Sequence, residues 1–317
     1  MNIIDNNKRY NTIDRYYKYK YGKKVCKISL NAGFTCPNKD GARGKGGCIY
    51  CSKSGSGDFA GKKELSLKEQ FYQIKEVMDN KWKDSFYIPY FQANSNTYAS
   101  VSKLEKTYSQ VINLHDDIKE IAIATRCDCI TEDICIYLNK LNKQIPITVE
   151  LGLQSIHNKT LSFLNTCYTI EDFTNAVILL RKYNINVVVH IINGLPYETK
   201  EMMLENIKYL NNLEIVGIKI HSLMIIKDTL LEKVYLKENF KLLTLEEHVG
   251  ITCDQIELLR KDIIIHRLSA DCSKDDLVAP LWLLKKLVVM NEIDKEMKKR
   301  GTYQGTKEAK LHTLTGM

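Results

Sequence analysis

The chain has 317 residues, 44% of them hydrophobic and 26% charged, the balance of a globular protein with a substantial core. Its formal net charge of +8 favours a polyanionic partner without naming one. No secretory signal is visible and no apolar run could span a bilayer, since LVAPLWLLKKLVVM is broken by two lysines, so a cytoplasmic protein with no membrane partner is expected.

Along the chain, residues 1–23 mix bases with tyrosines (KRYNTIDRYYKYKYGKK), as a nucleic-acid surface or a basic, aromatic-anchored strap would. VCKISLN alternates as a strand. Residues 31–61 form a glycine-rich loop of a length that compact domains keep for function. LSLKEQFYQIKEVMDNKW reads as a helix with Ser66 as N-cap, FYIPYFQ as a strand, SKLEKTYSQVIN as a helix and IKEIAIAT as a strand. TEDICIYLNKLNK (helix) and PITVELGLQ (strand) follow. TIEDFTNAVILLRKYN is a helix capped by Thr169 with Asp172 in its first turn. INVVVHIINGLP, TKEMMLENIKYLNNL and IVGIKIHSL continue as strand, helix and strand. This repeated β/α order predicts an α/β fold, a parallel sheet under helical cover. Six strands between about residues 24 and 223 suit a partial or full barrel with its chemistry at the strand C-termini, a doubly wound sheet being the alternative. The expected organisation is a strap (1–23), a barrel core (24–230) and a C-terminal extension (231–317) holding helices and one more strand candidate, DIIIHRL.

Two cysteine groups stand out among ten cysteines, 36/48/51 and 127/129/135. A disulfide framework fits a long chain without a secretion signal badly. Cys48 and Cys51 form C-x₂-C, with Cys36 twelve residues earlier. Three soft thiolates suit an iron–sulfur cluster with one open iron; a structural zinc would need a fourth ligand, Cys26 or a later histidine. Glycines 41, 44, 46 and 47 let the loop wrap tightly and offer backbone N–H groups. Cys127, Cys129 and the helical Cys135 suggest either an auxiliary cluster, for which no fourth cysteine is near, or buried free thiols, and Cys167, Cys253 and Cys272 carry no local signal.

The stretches ISLNAGFTCPNKDG, GGCIYCSKSGSGDFAG, IAIATRCDCI, VELGLQSIHNKTLSFLN, HIINGLPYET, GIKIHSL and IIIHRLSAD, spread from about residue 10 to 305, resemble the bacterial radical S-adenosylmethionine (SAM) family related to the Elongator catalytic subunit. The first cysteine gap is longer than in the commonest motif of that superfamily, as in this related group, and the Elongator acetyltransferase domain has no counterpart here. The resemblance implies a partial (β/α)6 TIM-type barrel, a [4Fe–4S] cluster on Cys36, Cys48 and Cys51, and SAM on the open iron. It further implies one-electron cleavage of SAM to a 5′-deoxyadenosyl radical that abstracts hydrogen from an unreactive C–H.

Further site candidates follow. By the resemblance Tyr50 lies beside adenine, or else it packs the loop onto the barrel. Glu150 and Gln154 share one face of their strand; a buried carboxylate needs a partner, either a ligand group or Arg126. Arg126, at a strand end, is expected to meet a carboxylate of SAM or substrate, or Glu150. FQAN stands where many relatives bind the SAM amino group, making Gln92, with Asn94 and Asn96, candidates. The resemblance places SAM contacts near His190 and Asn193, and His221 is a similar candidate near substrate or adenine. Lys219, Lys227, His266 and Arg267 add charge at late strand ends, to meet phosphate or pair with Asp271.

The same resemblance points to transfer RNA and to conversion of wobble 5-carboxymethylaminomethyl-(2-thio)uridine to the 5-aminomethyl form. The expected partners are a tRNA anticodon region, a reducing donor such as flavodoxin or ferredoxin, and a downstream tRNA methyltransferase. A radical SAM enzyme acting on a small molecule or protein, and a zinc-stabilised RNA-binding protein without catalysis, are the alternatives.

Overall fold

The computed structural model describes residues 4, 5, 7–55 and 57–308; residues 1–3 and 6 of the expected strap and 309–317 of the expected extension lie outside them. Strands β1 (Val25–Leu30), β2 (Phe86–Phe91), β3 (Ile121–Arg126), β4 (Ile147–Gln154), β5 (Asn186–Asn193) and β6 (Gly217–Ser222) coincide with the six sequence-predicted strands. Two short strands, β7 (Ile225–Ile226) and β9 (Leu277–Ala279), pair antiparallel, and between them in sequence lies β8 (Ile264–Arg267). The helices are α1 (Ile13–Tyr21), α2 (Leu67–Lys81), α3 (Val101–Ile112), α4 (Glu132–Asn142), α5 (Asn158–Phe163), α6 (Ile170–Lys182), α7 (Lys200–Leu210), α8 (Leu230–Glu238), α9 (Leu245–Leu258) and α10 (Lys286–Arg300). Ser66 and Thr169 complete capping boxes with Glu69 and Asp172, so α2 and α6 begin where their side chains satisfy otherwise orphaned N–H groups.

The sheet is parallel, in the order β1-β2-β3-β4-β5-β6-β8, and curls into a partial barrel. Sequential neighbours joined by helical crossovers produce this order, because each right-handed β-α-β step places the next strand alongside the last. DIIIHRL, expected within the extension, is the seventh strand: it pairs with β6 and forms the far edge. Across the gap between β1 and β8 lies the N-terminal segment. Thr12 bridges Ile265 in parallel, the Ile265 N–H donates to the Asn11 carbonyl at 2.8 Å, and α1 packs on both edges. Glu120, buried at the start of β3, accepts from Tyr17 (3.3 Å), Tyr21 (2.7 Å) and Lys20 (2.5 Å), so this basic, aromatic helix is fastened to the N-terminal end of the barrel.

Strand alternation divides the interior in two. Ile28, Ile123, Val149, Val189 and Ile218 face outward into the main core under the helices. Their neighbours Lys27, Arg126, Glu150, His190 and Lys219 face the barrel lumen. Among the described residues no helix is long and apolar enough to cross a membrane.

Candidate active site

The lumen is a cavity of about 790 Å³, within the range of small-molecule sites. Its rim is the loop between β1 and α2. There the N–H groups of Lys39 and Asp40 turn back onto the Cys36 carbonyl (2.8 and 3.1 Å), and the Cys51 N–H reaches the Cys48 carbonyl (3.0 Å). Gly46 and Gly47 have φ of 81° and 83°, a conformation open to glycine, and bring Cys48 back to the lumen. Both ends of the loop are clamped by the buried Gln70 of α2. Its Oε1 accepts from the Asn31 N–H (2.8 Å), and its Nε2 donates to the carbonyls of Asn31 and Leu65 (3.0 Å each).

Cys36, Cys48 and Cys51 all line the cavity. Asn38 Nδ2 and Arg126 Nη1 point at the Cys48 sulfur at 3.5 and 3.8 Å. The Cys48 thiol is pulled down to about 6 by its hydrogen bond with Cys51, against burial, with help from the Arg126 charge and Asn38; Cys51 is pushed up by that same bond and by burial. Three thiols with cationic and amide N–H groups directed at one sulfur form a donor set that fits an iron–sulfur cluster. Among the described residues no three metal-ligating side chains converge around a point as a single ion needs. Cys26, the alternative zinc ligand, lies on the outward face of β1 in the main core, because alternation points it away from Lys27 and the cavity.

Arg126 does not pair with Glu150. The short 3-10 turn Cys127–Cys129 folds Asp128 back onto it, with Nε and Nη2 donating at 2.9 and 2.8 Å; Nη2 also reaches the Thr166 carbonyl at 2.6 Å. Glu150 sits deeper, on β4, and meets residues from distant strands. Lys27 of β1 bonds Oε1, while Lys219 of β6 and His190 of β5 (2.8 Å) bond Oε2. Burial opposes its charge, but the Lys219 and Lys27 ammonium groups and the His190 bond hold the carboxyl well below its usual range. Burial lowers Lys219 to about 7 despite Glu150, because Lys27 shares that carboxylate, and lowers His190 to about 4. Both lysines lie 4.7 Å from the Tyr90 ring centroid. This network is the floor of the cavity.

Tyr50 is in hydrogen-bond contact with Cys48 and lines the lumen, as do Gln92, Asn94, Gln154, His221, Lys227, His266 and Arg267. Gly152 keeps space beside Gln154, whose Nε2 would stand 2.6 Å from an added Cβ. Asn193 is not in the cavity. Outward alternation after Ile192 buries it against α9, where it exchanges hydrogen bonds with Gln255 at 2.8 and 2.9 Å. Asn96 likewise turns away, tying the β2 and β3 ends through the carbonyls of Phe91 (3.0 Å) and Ala124 (2.8 Å). Asp271 pairs with Lys286 rather than with the late-strand cations. Cys135 lies in the core, while Cys272, without any local sequence signal, lines the cavity. Sequence reasoning missed Lys27, Asn38, Gln70 and Asp128. Only Lys27 had a local signal, a lysine on the inward phase of an apolar strand.

Residues 39–210 match the family model described as Radical SAM superfamily, and residues 215–299 that described as Radical_SAM C-terminal domain. The uncharacterized protein YtqA of Bacillus subtilis (strain 168) is 42% identical over 298 residues, 94% of this chain and 92% of its own. A tRNA uridine(34) acetyltransferase of Methanocaldococcus jannaschii is 27% identical over 137 residues, 42% of this chain and 25% of that protein. The solved structure of archaeal Methanocaldococcus infernus Elp3, with residues 1–46 deleted, has a TM-score of 0.66 at 17% identity; the match covers 88% of this chain and 64% of that one, a likeness of fold.

Proposed function

The chain belongs to the radical SAM superfamily and is an enzyme, and we propose that it modifies the wobble uridine of tRNA, removing the carboxymethyl arm of 5-carboxymethylaminomethyl-(2-thio)uridine to leave the 5-aminomethyl base. The observation that carries the RNA reading is the local similarity to tRNA uridine(34) acetyltransferases, joined to the net charge of +8. Membership excludes the non-catalytic zinc protein and implies a [4Fe–4S] cluster and SAM.

Cys36, Cys48 and Cys51 would hold the cluster. When bound, cluster and SAM would supply a hydrogen-abstracting radical; abstraction from the methylene between nitrogen and carboxylate, with loss of one further electron to replace the one spent on SAM, would leave an imine that water cleaves to the 5-aminomethyl base and a two-carbon aldehyde acid. The chain's own residues position and shield. Arg126 and Asn38 stabilise charge on the Cys48 sulfur, Tyr50 shelters the same thiol, and Gln70 holds the loop's two ends together. Gln92, Gln154 and His190 line the lumen where cofactor and base would meet, and a base entering it must leave its stack. Flavodoxin or ferredoxin would supply the electron, and a tRNA methyltransferase would use the aminomethyl product.

The test is mass spectrometry of tRNA nucleosides from cells with and without the gene. Accumulation of the carboxymethylaminomethyl form with loss of aminomethyl products is expected. An unchanged profile in cells that make both forms overturns the substrate assignment.

A further inference from the structure

The floor of the cavity carries more positive charge than it neutralises. Among the described residues, Glu150 is the one carboxylate that the barrel strands direct into the lumen, and both its oxygens are taken, Oε1 by Lys27 and Oε2 by Lys219 and His190. The strands also direct Arg126 and Arg267 inward. Arg126 is neutralised by Asp128. Arg267, half-buried at the end of edge strand β8 and in register with Lys219, makes no ion pair or side-chain hydrogen bond among the described residues. Its charge is felt at Tyr90, Lys219 and His221, which places it over the same floor.

Beside it, His266 Nδ1 is buried without a partner. Gly217 makes room for that ring, since an added Cβ would stand 2.6 Å from His266 Nε2. Of the acids elsewhere on the cavity wall, Asp14 is bonded to Lys24, Asp58 to Ser52 and Ser54, Asp271 to Lys286 and Asp276 to Ser273, while Asp228 is solvent-exposed in the segment after β7.

We infer that this floor is a carboxylate subsite, in which the Arg267 guanidinium, with the Lys27–Glu150–Lys219 network beneath it, takes the acidic end of the substrate's side chain. The inference rests on the proposed function and adds what the enzyme recognises in its substrate. A half-buried guanidinium with no counter-ion is costly, and a planar fork matches two carboxylate oxygens. Backbone phosphates of an RNA stay at the mouth of a barrel; the flexible arm of a flipped base is the part that reaches below the strand ends. The arm's carboxylate marks the base as unprocessed, and its removal by the proposed reaction would remove the anchor, favouring product release.

SAM also has a carboxylate, and the experiment separates the two sources. Cluster-loaded enzyme is titrated with anticodon stem-loops whose wobble uridine carries the 5-carboxymethylaminomethyl group, its methyl ester, or no substituent; SAM affinity is measured alongside. The wild type is expected to bind the acid about tenfold more tightly than the ester, the size of one charged hydrogen-bonded contact. Arg267→Gln should equalise acid and ester while leaving SAM and the unsubstituted loop unchanged. Arg267→Lys, which keeps the charge but loses the fork, should retain part of the preference.

Equal binding of acid and ester by the wild type overturns the subsite, as does a preference that survives in R267Q. A tenfold loss of SAM affinity in R267Q, with the acid preference kept, assigns Arg267 to SAM instead. If R267Q does not fold, an undiminished wild-type preference in R267K overturns the proposal. Acid preference without turnover would sink the proposed reaction and leave the subsite standing; turnover without acid preference would do the reverse.

Discussion

The rim and the floor of the cavity are built in opposite ways. The rim is local: Cys36, Cys48 and Cys51 share one loop, and glycines with left-handed backbone angles return it to the lumen. The floor is non-local: Lys27, Glu150, His190, Lys219 and Arg267 arrive from five different strands and meet only because the sheet curls. A motif can carry chemistry where a flexible loop tolerates it. A charge network in a barrel interior must instead be assembled by the whole fold, so breaking the two regions should have different consequences.

The largest effect is expected at the rim. Cys36→Ala, Cys48→Ala or Cys51→Ala should each abolish iron and sulfide content and tRNA modification while the fold persists, seen as unchanged far-ultraviolet circular dichroism. Retention of a full cluster in any one of them would remove that cysteine from the ligand set.

At the floor the loss should be one of stability. Glu150→Gln leaves Lys27 and Lys219 facing each other without their counter-ion, and should cost about 3–5 kcal/mol in denaturant unfolding. The pH dependence has a definite sign. The Glu150 carboxyl is held low in the fold, so its contribution is complete above the ordinary carboxylate range and is lost as pH falls through its folded value. Lys219 is lowered to about 7 from 10.5, so between those values the unfolded chain binds more protons and stability rises with pH. Lys219→Met should flatten that rise; an unchanged slope would show that Lys219 titrates normally.

The difference between rim and floor also explains what could be read from sequence. The strands were legible because each pairs an apolar outward phase with sharp turn signals, and Ser66 and Thr169 announced their helices through capping boxes. The C-x₂-C was legible because its partners are neighbours. Arg126 was placed at the site, but of the partners expected for it Glu150 is replaced by Asp128, since nothing local shows that residues 127–129 make a 3-10 turn returning Asp128. Lys27 and Glu150 are separated by 123 residues, and only strand order joins them. DIIIHRL read as a strand, but its place at the sheet edge depends on pairing with β6.

A smaller effect tests whether the rim is as self-sufficient as its sequence implies. Gln70 belongs to α2 rather than to the loop, yet its three hydrogen bonds hold Asn31 and Leu65, the loop's two ends. Gln70→Ala should lower stability by about 2 kcal/mol and let the cluster dissociate faster on dilution or exposure to oxygen. Cluster loss at the wild-type rate would mean that the loop needs no clamp.

The smallest effect should come from a residue beside the cavity in sequence but outside it in space. Asn193 is three residues beyond His190 in the same strand, an odd spacing that alternation assigns to the opposite face although both were candidates for the site. Strand alternation puts His190 into the lumen and Asn193 against α9, where two amide hydrogen bonds to Gln255 fasten that helix to the end of β5. Asn193→Ala should therefore cost about 1–2 kcal/mol of stability, with iron content and SAM affinity unchanged. His190→Ala is the matched control. It removes a hydrogen bond from Glu150 and a lumen wall, so it should weaken ligand binding as well as stability. If Asn193→Ala instead lowered SAM affinity while unfolding at the wild-type midpoint, the β5 end would have to turn its other face to the ligand, and the division of the barrel into a packed outside and a reactive inside would fail at that strand.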